Sequence, residues 1–157
     1  MKAVVGGQGS GVSLCGRVSC LLLAAYCLMA CSIPNLEPAD CTQARDVVRE
    51  FYSFHFGNDM TFSNENLENR RTYLTPRLLV DLRDHQPSVD PFTRTDDQPK
   101  AFRVGECRVK DPGRRVAFNV LLFWKTDTRT EQQPISVEAE NSGDKWLIDA
   151  VGDASNL

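Results

Sequence analysis

The chain of 157 residues carries 18 basic and 21 acidic side chains, which gives a formal net charge of −3. Beyond the N-terminal segment the two signs are interspersed, and a mildly acidic chain of this kind is a poor candidate for binding nucleic acid or anionic lipid headgroups. The length fits one domain, and no internal repeat or low-complexity tract divides it. Composition therefore predicts an ordinary globular domain and excludes nucleic acid as a partner.

The N-terminal segment has the pattern of a secretory signal. Lys2 and Arg17 are the only charged residues before Cys31, and both are basic. An uncharged, mainly apolar run follows from Val18 to Ala30 and ends in a small residue, as signal peptides do. This run is shorter than the roughly 20 residues that a transmembrane helix needs. The segment is therefore predicted to direct export and then to be removed.

The four residues Leu28-Met29-Ala30-Cys31 resemble the bacterial lipobox. The resemblance implies that Cys31 receives a lipid and becomes the first residue of the mature protein; the alternative is a plain signal peptide with a coincidental cysteine. A diacylglyceryl group supplies the two chains that stable anchoring requires. By analogy with lipoprotein sorting, Ser32 favours the outer membrane. The segment predicts a bacterial envelope lipoprotein that is anchored to the bilayer through acylated Cys31 and faces the periplasm.

The domain organisation follows from that cleavage. Residues 1–30 are the signal peptide, 31–40 the lipidated N-terminus and tether, and 41–157 a single domain. The stretch Ser32–Asp40, with its two prolines, extends to about 30 Å at most. The predicted mature chain has 127 residues with 16 basic and 21 acidic side chains, a net charge of −5.

Six cysteines are present, and three of them precede Cys31. Because an exported protein enters an oxidising space, the remaining Cys41 and Cys107 are predicted to form a disulfide. The closed loop would stabilise the fold by about 4 kcal/mol in the chain-entropy account. Two unpaired buried thiols are the alternative. Metal binding is disfavoured, because no histidine lies near either cysteine in the sequence.

The periodicity after the tether predicts helices. The first is expected over Thr42–Phe56, with Asp40 as N-cap, Gln43 at the capping-box position and Gly57 as the C-terminal stop. Its apolar face comprises Ala44, Val47, Val48, Phe51 and His55.

Two further helices are predicted. One covers Glu65–Leu74, and the next begins at Pro76 with Thr75 as its N-cap. The proline-rich segment Gln86–Lys100 is predicted to be neither helix nor strand.

From Phe102 onward the apolar period becomes two. The predicted strands are Phe102–Val109, Arg115–Trp124, a third ending near Glu140, and Lys145–Val151. Gly105 indicates a bulge, Pro134 a bulge or edge position, and the second strand, apolar on both faces, should be central. Helices followed by an antiparallel meander predict an α+β fold, with the helices packed on a curved sheet of about four strands.

Three segments carry a family resemblance: residues 44–52 (ARDVVREFY), 73–79 (YLTPRLL) and 146–151 (WLIDAV). They resemble a family of bacterial envelope domains of unknown function. The last segment is also similar to the final strand of the wider superfamily that contains nuclear transport factor two and SnoaL-type cyclases. The resemblance implies a cystatin-like cone. It leaves the activity open, because that superfamily includes both enzymes and non-catalytic binders.

His55 is the residue on which a catalytic hypothesis would depend. It lies on the apolar face of the first helix, where it could act as a general base oriented by Asp149 or another carboxylate. The plainer interpretation, which we favour, is a hydrogen-bonded core histidine.

Aromatic residues could line an apolar pocket, although on sheet faces they more often form plain core. The candidates are Tyr52, His55, Phe118, Trp124 and Trp146. Asp90, Asp96 and Asp97 could bind Ca²⁺ but lack the EF-hand spacing, so no metal site is predicted. No phosphate-binding glycine loop and no serine or cysteine nucleophile motif is present, and no cofactor is predicted.

These observations favour a membrane-anchored, non-catalytic envelope lipoprotein whose α+β domain binds a small apolar ligand or an envelope protein. One alternative is a SnoaL-like or isomerase-like enzyme that uses His55. The other is an immunity-type inhibitor of a secreted toxin.

Overall fold

The structure is a computed structural model that describes residues 37–125 and 130–154. The predicted signal peptide, the lipid-attachment residue Cys31 and most of the tether lie outside these residues. Within the described ranges, no helix is long and apolar enough to cross a membrane.

The described chain consists of helices followed by one antiparallel sheet, which confirms the predicted α+β class. The helices are α1 (Ala39–Phe56), α2 (Asn64–Asn69), a 3₁₀ turn (Arg71–Tyr73) and α3 (Pro76–His85). The strands are β1 (Ala101–Asp111), β2 (Arg115–Lys125), β3 (Thr130–Asn141) and β4 (Trp146–Asp153), in the spatial order β1-β2-β3-β4. One face of this sheet packs against α1, which contacts all four strands.

The start of α1 differs from the prediction. Pro38 occupies the N-cap position, and no side chain caps the helix. Asp40, predicted as the N-cap, lies inside the first turn, and its carboxylate accepts a hydrogen bond from the backbone N–H of Gly113 at 2.8 Å. An acidic side chain in the first turn interacts favourably with the helix dipole. The helix ends at Phe56 and Gly57 follows as its C-cap, as predicted.

The predicted second helix is divided in two. Ser63 caps α2, which ends at Asn69 with Arg70 as its C-cap, and the 3₁₀ turn begins at Arg71. Arg70 lies at this interruption. Its side chain is buried and points into the protein toward His55, rather than along a helix surface. Helix α3 begins as predicted, with the Thr75 hydroxyl accepting from the N–H of Leu78 at 3.2 Å and Pro76 at the first helical position.

In the sheet, β2 lies between β1 and β3 as predicted. The pairing of β1 with β2 shifts register between Val104 and Cys107, which confirms a bulge at Gly105. Glycine is required there, because a Cβ would lie 2.9 Å from the carbonyl oxygen of Asn119. Pro134 precedes the first β3 residue that pairs with β4, so it occupies an edge position on that side.

The core lies between the helices and one face of the sheet. Its largest fully buried apolar side chains include Tyr52, Phe51, Phe118, Leu122 and Ile148. The predicted Cys41–Cys107 disulfide is present, with the two Cα atoms 5.9 Å apart, and joins the start of α1 to β1. The Glu37 carboxylate lies near both sulfurs. The bonded cysteines offer no thiolate to a metal.

Candidate functional site

His55 lies at the centre of a buried polar cluster. Its side chain is 1% exposed, and Nε2 lies 2.8 Å from Oδ2 of Asp90. On the opposite side of the ring, Nε of Arg70 donates to Nδ1 at 2.8 Å. The three side chains come from α1, the end of α2 and the loop after α3. The catalytic hypothesis for His55 therefore has a carboxylate partner, but it is Asp90 and not Asp149.

The partners of His55 determine which ring nitrogen carries the proton. A guanidinium group has donors and no acceptor, so the nitrogen that faces Arg70 must present a lone pair. The imidazole is accordingly neutral, with its proton on Nε2 and donated to Asp90. Both ring nitrogens are used inside the protein.

Asp90 connects this cluster to the loop between α3 and β1. Its carboxylate also accepts from the N–H of Phe92 at 3.1 Å and from the hydroxyl of Thr93 at 2.7 Å. The Tyr52 hydroxyl donates to the carbonyl of Phe92 at 2.8 Å. Burial, and secondarily the Asp90 charge, raises the pKa of Tyr52 well above its ordinary value. Two buried hydrogen bonds, His55–Asp90 and Tyr52–Phe92, thus attach the proline-rich loop to α1, and two more to Asp90 hold the loop itself together.

Arg70 completes the cluster from the other side. Its two Nη atoms donate to the carbonyls of Asn66 and Asp59, each at 2.7 Å. Burial lowers the pKa of Arg70, and the charges of Asp90 and Asp59 oppose that shift. The void beside His55 measures only about 10 Å³. About 10–15 Å³ is needed for one water molecule, so a substrate has no room beside the imidazole.

Asp149, the other catalytic candidate, belongs to a different cluster. Its carboxylate accepts from the Thr75 hydroxyl at 2.7 Å and from Nε and Nη2 of Arg77 at 3.1 and 2.9 Å. Nη2 of Arg115 lies 3.8 Å away. Burial raises the pKa of Asp149, but the hydrogen bonds from Arg77 and Thr75 outweigh that effect, so the pKa lies below its ordinary value. Asp149 therefore stays ionised and joins α3 to β4.

The five aromatic and histidine candidates belong to the core rather than to one cavity. Tyr52 and Phe118 are fully buried. Trp124 donates from its indole nitrogen to the carbonyl of Asp97 at 2.7 Å. Trp146 borders an open groove beside α1, and His55 borders the small void described above. Asp90 is not available as a calcium ligand, because its carboxylate is buried and hydrogen-bonded to His55.

A cavity of about 310 Å³ lies between α3, the loop that follows it and β4. We refer to it as the α3–β4 cavity. Its walls are mainly apolar and comprise Leu78, Leu82, Pro87, Val89, Pro91, Phe92, Ala150 and Val151. Its charged lining residues are Arg77, Asp81, Arg94 and Asp149. Ligand sites in proteins typically enclose about 300–1,000 Å³ with apolar walls and a few polar groups, so this cavity is the candidate binding site.

The loop that forms one wall of this cavity has unusual backbone geometry at both ends. Gln86 and Arg94 have φ angles of 41° and 58°, in the left-handed region. That conformation costs a residue other than glycine about 1–3 kcal/mol and persists only where the surroundings enforce it. Gln86 is the residue that terminates α3, where left-handed geometry is common, and its N–H donates to the carbonyl of Leu82 at 3.1 Å. At the other end, the Arg94 N–H donates to the Asp90 carbonyl at 2.8 Å, and the bonds of His55 to Asp90 and of Tyr52 to Phe92 hold this segment on α1. The His55 cluster therefore positions the loop that forms the cavity wall, a role that reasoning from the sequence missed.

The sequence contained a partial signal for this site. Thr75-Pro76 predicts the helix that forms one side of the cavity, and the predicted strand Lys145–Val151 contains Asp149, Ala150 and Val151 of its lining. Two large apolar side chains are exposed among the described residues: Val80, which is 55% exposed, and Val89, which is 37% exposed. Only Val89 lines the cavity. Its role could not be inferred because the surrounding loop has no regular periodicity.

Neither a protein-family model nor a curated protein matches the sequence. Among solved structures, the chain is similar to a Bacteroides thetaiotaomicron protein of unknown function, with a TM-score of 0.50 and 18% sequence identity. The similarity covers 85% of this chain and 98% of that one. At this identity the comparison shows that the two proteins share a fold, and the function of this chain has to be argued from its own site.

Proposed function

We propose that the protein is a lipid-anchored envelope lipoprotein whose α+β domain binds a small, largely apolar ligand in the α3–β4 cavity and does not catalyse a reaction. The observation that carries the binding role is the cavity itself, which combines apolar walls with charged groups at its edge. The proposal that the protein is not an enzyme rests on His55, because both of its ring nitrogens are hydrogen-bonded inside the protein and the void beside it is too small for a substrate.

The anchoring part of the proposal rests on the sequence signal that ends at Cys31. The described domain begins at Glu37, so only a few residues would separate it from the lipid. A domain held this close to the bilayer meets ligands that reside in the membrane or are released from it. The resemblance to bacterial envelope domains of unknown function supports the same location, and we propose membership of that family.

The anchor is tested on the full-length gene product in a bacterial host. Mass spectrometry of the mature N-terminus should find a diacylglyceryl group on Cys31, and Cys31→Ser should remove this modification and the protein's retention in the membrane fraction. An unmodified Cys31, or cleavage at another position, would overturn the lipoprotein proposal.

The binding site is tested by NMR on the full lipidated protein in nanodiscs of zwitterionic lipid, with n-octanol as a neutral apolar probe. We expect the probe to shift the backbone amide signals of residues 87–94 and 149–151. Val89→Arg should abolish these shifts, because a charged chain in the wall disfavours apolar occupancy. Val80→Arg is the matched control, since Val80 is exposed on α3 outside the cavity, and it should leave them unchanged. Equal effects of both variants, or no shifts in the wild type, would contradict the proposed site.

A further inference from the structure

We propose that the natural ligand of the α3–β4 cavity is an anionic amphiphile: a short apolar chain that fills the cavity and a carboxylate or phosphate head that Arg77 and Arg94 bind at its edge. This inference rests on the proposed function and specifies the chemistry of the same site.

The hydrogen-bonding groups at the cavity edge are unequally satisfied. Arg77 uses Nε and Nη2 on Asp149, and Arg94 uses Nε on Asp153 at 3.0 Å. Within the described part of the chain, Nη1 of Arg77 and both Nη atoms of Arg94 have no protein acceptor. The Asp149 carboxylate, in contrast, already accepts three hydrogen bonds. Arg77 and Arg94 therefore retain unused donors while the Asp149 carboxylate is saturated, and a ligand that complements the two arginines must supply acceptors.

An anionic head matches these donors better than a neutral one. Hydrogen bonds between a guanidinium group and a carboxylate or phosphate are roughly twice as strong as bonds between neutral groups. The negative charge of Asp149 repels a bound anion only weakly, because Arg77 forms an ion pair with Asp149 and Nη2 of Arg115 lies 3.8 Å from its carboxylate.

Asp81 is the carboxylate at the edge that would repel an anion. It is 52% exposed and lies 3.1 Å from Nδ1 of His85, itself an exposed residue on α3. The hydrogen bond of His85 to the backbone carbonyl of Asp81, and secondarily the charge of the Asp81 carboxylate, raises the pKa of His85, which favours the imidazolium cation that compensates this carboxylate. Solvent further screens charges that are this exposed.

The cavity volume limits the apolar part of the ligand. At about 30 Å³ for each water-sized group, about 310 Å³ accommodates on the order of ten non-hydrogen atoms. A chain of about eight carbons with a small head fits within the cavity by this measure. The two acyl chains of a phospholipid do not, although a longer single chain could extend through the open mouth.

The inference is tested with octanoate and octyl phosphate against n-octanol, on the full lipidated protein in zwitterionic nanodiscs. The readout is again the amide shifts of residues 87–94 and 149–151, which separate binding in the cavity from partition into lipid. We expect both anions to bind at least tenfold more tightly than octanol. Acetate and inorganic phosphate, tested alone, should bind much more weakly than the chain-bearing anions, because they lack the apolar part.

Arg94→Gln should reduce the affinity for both anions about tenfold and leave that for octanol unchanged. Arg83→Gln is the matched control, because Arg83 is an exposed α3 arginine outside the cavity lining. Equal affinity for octanol and octanoate, or no loss in Arg94→Gln, would overturn the anionic class while the proposed apolar site stands. Tight binding of inorganic phosphate or acetate alone would also overturn it, in favour of a simple anion site. Failure of all probes, octanol included, would overturn the proposed function as well.

Discussion

Two clusters of this protein each contain an arginine and an aspartate, but one has a structural role and the other lies at the candidate binding site. In the Arg70–His55–Asp90 cluster every side chain is buried, and Arg70 donates to three acceptors inside the protein. In the Arg77–Asp149 cluster the carboxylate is buried while the arginine is 61% exposed and keeps a free donor group. A saturated cluster fixes the backbone, whereas a cluster with unused donors at a cavity can bind a ligand. The number of unused hydrogen-bonding groups, more than the residue types, separates the structural cluster from the candidate binding site.

The two clusters are also connected. Asp90 belongs to the buried cluster, and its neighbours Pro91 and Phe92 line the cavity. The buried cluster should therefore affect binding indirectly through the loop, while the exposed arginines should affect it directly. Three variants measure how strongly each cluster stabilises the protein, and the largest expected change comes first.

Arg70→Met should destabilise the protein by about 3–5 kcal/mol, because it removes a buried cation that the charges of Asp90 and Asp59 stabilise. His55 Nδ1 and two backbone carbonyls would also lose their donor. Urea unfolding followed by tryptophan fluorescence measures the change. The matched control is Arg71→Met at the neighbouring residue, whose side chain is 64% exposed and whose substitution should cost less than about 0.5 kcal/mol.

The assignment of the His55 proton to Nε2 is tested by NMR on the wild-type protein. The ¹⁵N shifts of its imidazole in the wild type should identify Nε2 as the protonated nitrogen. A proton on Nδ1 at neutral pH would contradict the saturated cluster, because Arg70 could not then donate to that atom.

Asp149→Asn should cost about 2 kcal/mol at pH 7, since it weakens charge-assisted hydrogen bonds from Thr75 and Arg77. Because the folded-state pKa of Asp149 is lowered, its carboxylate contributes fully above the unfolded-state pKa of about 3.9 and loses that contribution as the pH falls through the folded-state value. The stability difference between wild type and variant should therefore shrink below about pH 4. Chemical unfolding at several pH values measures it. If the stability difference grew on acidification, it would contradict a folded-state pKa of Asp149 below the ordinary value.

Tyr52→Phe should have the smallest effect, about 1 kcal/mol, because it removes one buried hydrogen bond to the carbonyl of Phe92. We also expect faster hydrogen exchange in the loop of residues 86–95, since one of its attachments to α1 is lost. Tyr73→Phe provides the control, as Tyr73 is only partly buried and packs on Phe51 and Phe54. Equal effects of the two variants would remove the link between the buried cluster and the cavity wall.

Local sequence signals predicted much of the fold because each depends on residues close in the chain. The alternation of Arg115–Trp124 predicted a central strand, Thr75-Pro76 predicted a helix start, and Gly105 predicted a bulge. The disulfide followed from cysteine count and compartment. The assignment of Asp40 as N-cap was wrong because Pro38 begins the helix earlier. The single helix over Glu65–Leu74 was wrong because Arg70 leaves the helical surface to reach His55.

The candidate site was less predictable, because its residues are distant in sequence. His55 was recognised as a residue of interest, with a core role favoured, but its partners are 15 and 35 positions away. The cavity combines α3, an irregular loop and β4, and such a loop carries no periodic signal. The aromatic residues were candidates for a pocket or for plain core, because periodicity alone cannot distinguish a core face from a cavity wall.

By itself the sequence determined the α+β order, the central strand and the cysteine pair, because apolar periodicity and turn residues act over a few positions. It also carries the export and lipidation signal, which remains a prediction. Only the tertiary structure decided that His55 is neutral and enclosed, that Asp149 belongs to another cluster, and that a cavity opens beside α3. The physical reason is that hydrogen-bond saturation and enclosed volume depend on which distant side chains meet, and chain packing fixes that choice.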